Sequence, residues 1–287
     1  MKKIIISCDN AADVPEEFLQ KYDIRQFFFN INIGEKSYVD KLEISADEIY
    51  KSWWENKILP KTSAIVPYSY KVDFERWVAE GYSVIHFSIG SGVSLAHENA
   101  VTAAKEVGGD IAVIDTQTVS STVSILVIKA CKMRESGMSA EEIVAKSHEN
   151  IKKANCTFVL DTLEFLKAGG RCSAVKLITA NLFKIHPVIF VDNADCARMR
   201  PIDKYRGSMN MIATKYAQKR LATARNVDKE FVAVITTGNV EQAVIDTLSA
   251  QAKDFGFENV IVSRTSGVIS SHAGPGAFGM LFLSDQT

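Results

Sequence analysis

The first half of the chain alternates short apolar runs with amphipathic segments. The apolar runs are rich in Ile, Val and Phe and have the length of buried strands. Ser45 and Ser139 are each followed three residues later by a glutamate, which is the capping-box pattern of a helix start. The alternation predicts an α/β fold with a parallel or mixed sheet flanked by helices, with strands at 2–7, 84–88 and 111–115 and helices at 45–56, 67–80 and 94–107.

The pattern changes in the second half, where strand-like runs come closer together. Two segments with helical spacing, 208–222 and 239–256, are set among these runs. A further irregularity, 27–40, is typical of a hairpin that turns at Gly34 and Glu35. We therefore predict two α/β domains, residues 1–156 and 157–287, that dock closely because no Pro-rich or low-complexity linker separates them.

Composition narrows the class of protein. The chain is 47% hydrophobic and 23% charged, as is ordinary for a globular protein. Its formal net charge of −1 does not indicate the excess of positive charge that is typical of nucleic-acid-binding proteins. No apolar run is long enough to span a membrane, and the amino-terminal run is too short for a signal peptide. The five cysteines are scattered and never form a Cys-x-x-Cys pair. We expect a cytoplasmic protein with reduced thiols and no bound metal.

A Gly-Ser turn joins a predicted strand to a predicted helix at HFSIGSGVSLAHENA, residues 86–100. Backbone amides in such a turn, here those of Gly90 and Gly92, are suited to bind an anion. Ser94 lies at the expected N-cap, so its hydroxyl either caps the helix or binds that anion. Leu95 replaces the third glycine of a dinucleotide pattern, and no P-loop pattern occurs. One interpretation is an enzyme that acts on a small phosphorylated or carboxylated metabolite at this turn.

Two further polar loops could face the same ligand. PKTSAIVP carries Thr62 and Ser63 just before a predicted helix. SSHAGPGAFG places His272 before Gly274 and Gly276, whose tight turn offers additional backbone amides. If the loops meet at one edge of the sheet, hydroxyl and imidazole groups would surround one anion.

Two arginines follow flexible backbone or precede glycine, in KAGGRCSA and KYRG. Arg171 and Arg206 have the planar, forked donors that bind carboxylate or phosphate. A nucleophilic triad would need Ser94 or Thr62 beside His272 with an acid behind it. No Gly-x-Ser-x-Gly elbow is present to support that alternative.

Taken together, these motifs resemble the DegV family of bacterial fatty-acid-binding proteins. The similar stretches are TSAIVP, SGVSLAHENA, VIDTQTVS, LEFLKAGGRCS, the pair KIHPVIFVDN and KYRG, and SHAGPGAFG, in family order along almost the whole chain. The resemblance implies a two-domain DegV-like fold with a tunnel for one long-chain fatty acid between or beside the domains. It also implies a non-catalytic carrier with no cofactor.

The resemblance assigns roles to single residues. It implies that Thr62, Ser63, Ser94 and His272 bind the fatty acid carboxylate, with Arg171 nearby. It further implies that the carrier presents the carboxylate to the ATP-binding subunit of a fatty acid kinase, which forms an acyl phosphate for phospholipid synthesis. Arg206 would contact that partner or the phosphorylated head group, and a transient contact with a membrane surface would accompany lipid exchange.

Overall fold

The computed structural model describes residues 2–171 and 185–285. Residues 172–184, which include Cys172 and the apolar stretch VKLITANLF, lie outside the described residues. The strands are β1 Ile4–Asp9, β2 Arg25–Phe27, β3 Asn30–Ile33, β4 Lys36–Val39, β5 Lys61–Ser63, β6 Ser83–Ser88, β7 Ile111–Asp115, β8 Ala154–Val159, β9 His186–Asp192, β10 Arg198–Tyr205, β11 Arg225–Thr236, β12 Asn259–Arg264 and β13 Phe278–Asp285. The helices are α1 Glu16–Tyr22, α2 Ala46–Asn56, α3 Pro67–Ala79, α4 Ala96–Val107, α5 Ser121–Glu135, α6 Ala140–Ile151, α7 Glu164–Gly169, α8 Met209–Thr223, α9 Gln242–Phe255 and α10 Gly267–Ala273.

The amino-terminal sheet is parallel, in the order β2-β1-β6-β7. Each of its predicted strands is confirmed to within two residues at either end. Both predicted capping boxes are present, with the Ser45 hydroxyl accepting from the Glu48 amide and the Ser139 hydroxyl accepting from the Glu142 amide. The pattern of apolar runs therefore located the regular part of this half.

The predicted hairpin is also present and belongs to a small sheet of its own. Strands β3 and β4 pair antiparallel on either side of Gly34, which has a φ of +61° that glycine adopts without strain. Strand β5 adds to the other edge of β3, giving the order β4-β3-β5. Strand β5 was not predicted, because a strand of three residues is too short to show alternation.

The carboxyl-terminal half forms a six-stranded sheet in the order β10-β9-β8-β13-β11-β12. Only β11 and β12 pair in parallel among the described strands of this sheet. Alternate residues of β11 face opposite ways, so Val232 and Val234 pack in one core with α8 and α9, and Ala233 and Ile235 pack in another. The second core is shared with the amino-terminal half.

Helix α5 joins the two halves. It contacts β1 of the parallel sheet and also β8, β11 and β13 of the six-stranded sheet. Its residues from Ser121 to Ile128 are all buried, as expected of a helix enclosed on every side. The change from one sheet to the other falls between α6 and β8, so the predicted division after residue 156 lies inside β8. The existence of two separate domains stays a prediction.

In the described part of the chain, no helix is long and apolar enough to cross a membrane. The same residues contain no group of three or more His, Cys, Asp or Glu side chains arranged to hold a metal ion.

Candidate functional site

A cavity lies between the two halves of the molecule. Its first wall is formed by residues that follow strands of the parallel sheet, at the carboxyl edge where ligands of open α/β sheets bind. Its second wall is the inner face of the six-stranded sheet. Most lining side chains are apolar, among them Phe29, Ile89, Val119, Phe158, Ile235 and Leu281.

Thr62, Ser94, Arg171 and His272 all line this cavity. Thr62 and His272 are 210 residues apart in the chain, yet Thr62 Oγ1 lies 2.8 Å from His272 Nε2. Arg171 donates from Nε to the Val93 carbonyl at 3.3 Å, which keeps it close to the Ser94 segment. The structure thus brings four of the predicted head-group residues to one cavity.

His272 lies in the last turn of α10, a short helix that the sequence did not predict. Burial, together with the neighbouring Arg171 cation, lowers the pKa of its imidazole to about 4. The ring is therefore neutral at pH 7, with one donor and one acceptor nitrogen. Gly169 allows the ring to fit, since a Cβ at this position would collide with Nδ1.

The contacts of His272 do not complete a nucleophilic triad. Its Nδ1 is buried and has no hydrogen-bond partner among the described residues. A triad requires a carboxylate at that nitrogen to orient the ring and stabilise the imidazolium. The Thr62–His272 pair is consequently suited to binding a polar group rather than to activating the hydroxyl.

Ser94 differs in detail from the prediction. The N-cap of α4 is Leu95, one residue later, and it provides no side-chain cap. The Ser94 hydroxyl accepts from the Ala96 amide at 3.1 Å, and its own hydrogen remains available to donate into the cavity. Both roles weighed for Ser94 are therefore compatible.

Ser63 does not face the cavity. Side chains alternate along β5, so the inward position of Thr62 turns Ser63 to the exposed side. There the Ser63 hydroxyl accepts from Asn32 Nδ2 at 2.9 Å. This geometry does not support a head-group contact by Ser63, which stays a prediction.

The backbone amides expected to bind an anion are mostly paired inside the fold. The Gly90 amide donates to the Thr118 carbonyl at 2.8 Å. The Gly274 and Gly276 amides donate to the Ser270 and Gly238 carbonyls, at 3.0 and 2.8 Å. These contacts engage the three amides within the fold and do not support an anion-binding role, which stays a prediction.

The glycines are instead needed for close packing and for turns. A Cβ at Gly90 would collide with the Ala197 side chain, and one at Gly92 would collide with the Cys196 carbonyl. Gly274 and Gly276 have φ values of +74° and +77°, which most other residues adopt only with strain. An anion contact by the Gly92 amide stays a prediction.

Asp115 fills the Gly-Ser turn that raised the possibility of a nucleotide or phosphate site. Its carboxylate accepts from the Ser91 amide at 3.1 Å and from the Ser91 hydroxyl at 2.6 Å. It also accepts from the Gln117 amide at 3.0 Å, as an internal cap. With a carboxylate of the protein already present, the turn is poorly suited to a second anion, which weakens the metabolite-enzyme interpretation.

Arg206 is exposed directly after β10 and is not among the residues that line the cavity. A direct contact with a ligand head group inside the cavity is therefore not supported. Contact with a partner protein stays a prediction for this residue.

Sequence reasoning missed two buried carboxylates near α10. Asp13 accepts from the Ser266 amide at 2.6 Å, and Asp40 accepts from the Gly267 and Val268 amides, each at 2.9 Å. The local sequence feature that could have drawn attention to them is a charged residue among apolar neighbours after a strand. The partners lie more than 220 residues away in sequence, so that signal could not assign a role.

Comparison with known proteins was made on the whole chain. A model described as "Uncharacterised protein, DegV family" matches residues 3–285. A DegV domain-containing protein of Caldanaerobacter subterraneus is 30% identical over 283 residues, 98% of this chain and 99% of the relative. A protein of Thermotoga maritima named "Fatty acid-binding protein" is 28% identical over 283 residues, 96% of each chain.

Solved structures agree in fold. The structure described as "Fatty Acid Binding of a DegV family Protein from Thermus thermophilus" superposes with a TM-score of 0.87 at 25% identity, covering 98% of this chain and 99% of that one. This similarity over almost the whole chain confirms the predicted DegV-like α/β fold. With the family model matching nearly every residue, this chain belongs to the DegV family.

Proposed function

We propose that this protein binds one long-chain fatty acid in the cavity between its two halves. The hydrocarbon tail lies along the apolar walls, and the carboxylate lies beside Thr62, Ser94 and His272. The observation that carries the proposal is that a cavity lined mostly by apolar side chains contains the Thr62–His272 pair. The names of the Thermotoga and Thermus relatives support the same ligand class.

Hydroxyls elsewhere in the cavity wall are less available to a head group. Ser120 donates to Asp13 at 2.6 Å, and Thr237 exchanges hydrogen bonds with the backbone of Ala277. The Thr265 hydroxyl lies 2.6 Å from that of Ser270. These internal bonds favour the Thr62–His272 region for the carboxylate.

The tail and the head group contribute differently to binding. Each buried CH₂ group contributes about 0.8 kcal/mol, so a tail of about 14 such groups supplies most of the affinity. A hydrogen bond to the charged carboxylate contributes about 1.5–3 kcal/mol. Thr62, Ser94 and His272 therefore set the orientation of the ligand and its preference for an acid.

The finer part of the proposal is presentation to a kinase. The chain acts as a non-catalytic carrier that offers the carboxylate to the ATP-binding subunit of a fatty acid kinase for acyl phosphate formation. Arg171 is exposed and lines the cavity, which suits a residue near the carboxylate that the partner reaches. Arg206 is exposed outside the cavity, which suits a contact with the partner itself.

Ligand binding is tested by mass spectrometry of lipids extracted from natively purified protein, followed by titration of delipidated protein with palmitate. Thr62→Val removes the hydroxyl that faces the cavity, and Ser63→Ala, its neighbour on the exposed side of β5, is the matched control. We expect T62V to raise the Kd about tenfold, the equivalent of about 1.4 kcal/mol, and S63A to leave it within about twofold. Lipid-free protein that also fails to bind palmitate or oleate would refute the proposal.

Presentation is tested separately, with ATP, palmitate and the ATP-binding subunit of a fatty acid kinase. Acyl phosphate formation should require this chain. Arg206→Ala should slow the transfer and leave the palmitate Kd unchanged, because Arg206 is outside the cavity lining. Fatty acid binding without any transfer would reject the kinase role and retain the carrier role.

A further inference from the structure

The start of α10 is capped by a carboxylate from a distant strand. Ser266, at the N-cap, makes no side-chain cap of its own. Asp40, the residue after β4, accepts from the Gly267 amide through Oδ1 and from the Val268 amide through Oδ2, both at 2.9 Å. The first turn of α10 is therefore held by a residue outside the helix.

Asp40 is itself fixed in place. It is fully buried, and its Oδ2 also accepts from Asn10 Nδ2 at 2.7 Å. Gly267 allows the carboxylate to approach, since a Cβ there would lie 2.5 Å from Asp40 Oδ1. A carboxylate that accepts three hydrogen bonds through two oxygens cannot be replaced fully by an amide, whose nitrogen accepts none.

The sheet that ends at Asp40 is also the sheet that carries Thr62. Strand β5 pairs with β3, with Thr62 opposite Ile31, and β3 pairs with β4. His272 lies five residues after Gly267 in α10, about 8 Å along the helix axis. One end of the Thr62–His272 contact is thus part of the small sheet, and the other end is tied to that sheet through Asp40.

We infer that Asp40 is a positioning residue for the head-group site: it anchors α10 to the sheet that carries Thr62 and so sets the separation of Thr62 and His272. This role rests on the proposed function, since it assigns the pair to a carboxylate. It adds a residue that does not line the cavity and does not touch the ligand.

Two other contacts act on the same helix. Asp13 Oδ1 accepts from the Ser266 amide at 2.6 Å, just before α10. The Tyr50 hydroxyl, from α2, donates to the Ser270 carbonyl at 3.2 Å. The second contact can be removed with little change of shape by Tyr50→Phe, which offers a milder displacement of α10 than a change at Asp40.

The test compares palmitate with 1-hexadecanol, which has the same tail and no carboxylate. We expect the wild-type protein to prefer the acid, and Asp40→Asn to reduce that preference about tenfold by weakening the contact with the acid. Tyr50→Phe should reduce it in the same direction by a smaller factor. In protein labelled with ¹⁵N-histidine, the His272 side-chain resonance, assigned with His272→Gln, should move in both variants.

Tyr216→Phe is the control for a general loss of stability. The buried Tyr216 hydroxyl donates to the Thr157 carbonyl and accepts from the Met280 amide, and none of these three residues lines the cavity. This variant should lower the unfolding midpoint without changing the acid preference or the His272 resonance.

The outcomes separate the two proposals. Wild-type protein that binds neither ligand overturns the proposed function. Wild-type protein that prefers the acid, with D40N showing the same preference and an unmoved His272 resonance, overturns the positioning role alone. If D40N does not fold, an unchanged preference and resonance in Y50F overturn the positioning role, and a reduced preference with a moved resonance supports it.

Discussion

The buried imidazole of His272 is expected to make the ligand-free protein less stable in acid. Burial, together with the Arg171 cation, lowers its pKa from 6.5 to about 4. Below pH 6.5 the unfolded chain takes up a proton on this imidazole and the folded chain does not, so unfolding becomes more favourable. The contribution of His272 to stability is therefore complete above pH 6.5 and is lost progressively as the pH falls to about 4.

The size of the effect follows from the two pKa values. The difference between 6.5 and about 4 is about 2.5, and each unit of pKa corresponds to about 1.36 kcal/mol. The full loss is then about 3 kcal/mol, most of which is reached by about pH 4.5. This is a substantial part of the stability of a typical domain.

His272→Gln removes the titrating group and isolates its effect. The free energy of unfolding is measured by urea denaturation of delipidated protein at pH 7.5 and about pH 4.5. Between these two pH values the variant should lose about 2–3 kcal/mol less than the wild-type protein. Comparing the change in the free energy of unfolding between the two pH values removes any effect of the substitution that does not depend on pH, such as loss of the Thr62 contact.

His148→Gln is the matched control, because His148 is exposed on α6. It should leave the pH dependence of unfolding as in the wild-type protein. If H272Q and the wild-type protein lose stability in parallel, His272 titrates alike in the folded and unfolded states, and the burial argument is wrong.

Three further outcomes are expected. Burial raises the pKa of Asp13 from 3.8 to about 6. As the pH falls through that range the folded state takes up the proton before the unfolded state does, which stabilises the folded state by about 3 kcal/mol. Asp13→Asn removes this gain and should show steeper acid destabilisation in the same urea titrations. Gly92→Ala should lower the free energy of unfolding by about 1–3 kcal/mol in calorimetry, because the new methyl group would collide with the Cys196 carbonyl, and an unchanged melting temperature would contradict the packing argument. Gly169→Ala should raise the palmitate Kd about tenfold in titration by displacing the His272 ring, whereas an unchanged Kd would show that the ring can move without cost to binding.

The regular elements of the fold could be predicted because their information is local. The capping boxes at Ser45 and Ser139 and the turn at Gly34 each depend on residues within a few positions, and all three are present. Strand β5 and helix α10 were missed because they are short and are fixed by distant partners. Thr62 is held by pairing with β3, and α10 is held by Asp40.

The residues of the candidate site were predicted less evenly, for a related reason. Motif resemblance selected Thr62, Ser94, Arg171 and His272, and all four line the cavity. It could not separate Thr62 from Ser63, because the direction of each side chain depends on a three-residue strand whose presence is not visible in the sequence. Charge and glycine content alone likewise cannot show that an amide or carboxylate is already paired across the fold.

The Gly-Ser turn shows how that limitation bears on ligand choice. A free turn of this kind would favour a phosphate, since several amides would converge on one anion. Here the Ser91 amide donates to Asp115 and the Gly90 amide donates to the Thr118 carbonyl, so two of those donors are already hydrogen-bonded within the protein. Among the described residues, the side-chain donors that line the cavity are hydroxyls, a neutral imidazole and one guanidinium, set in apolar walls. That set matches a single negative charge at the end of a hydrocarbon better than a phosphate with two charges, because burying the second charge would need further cations.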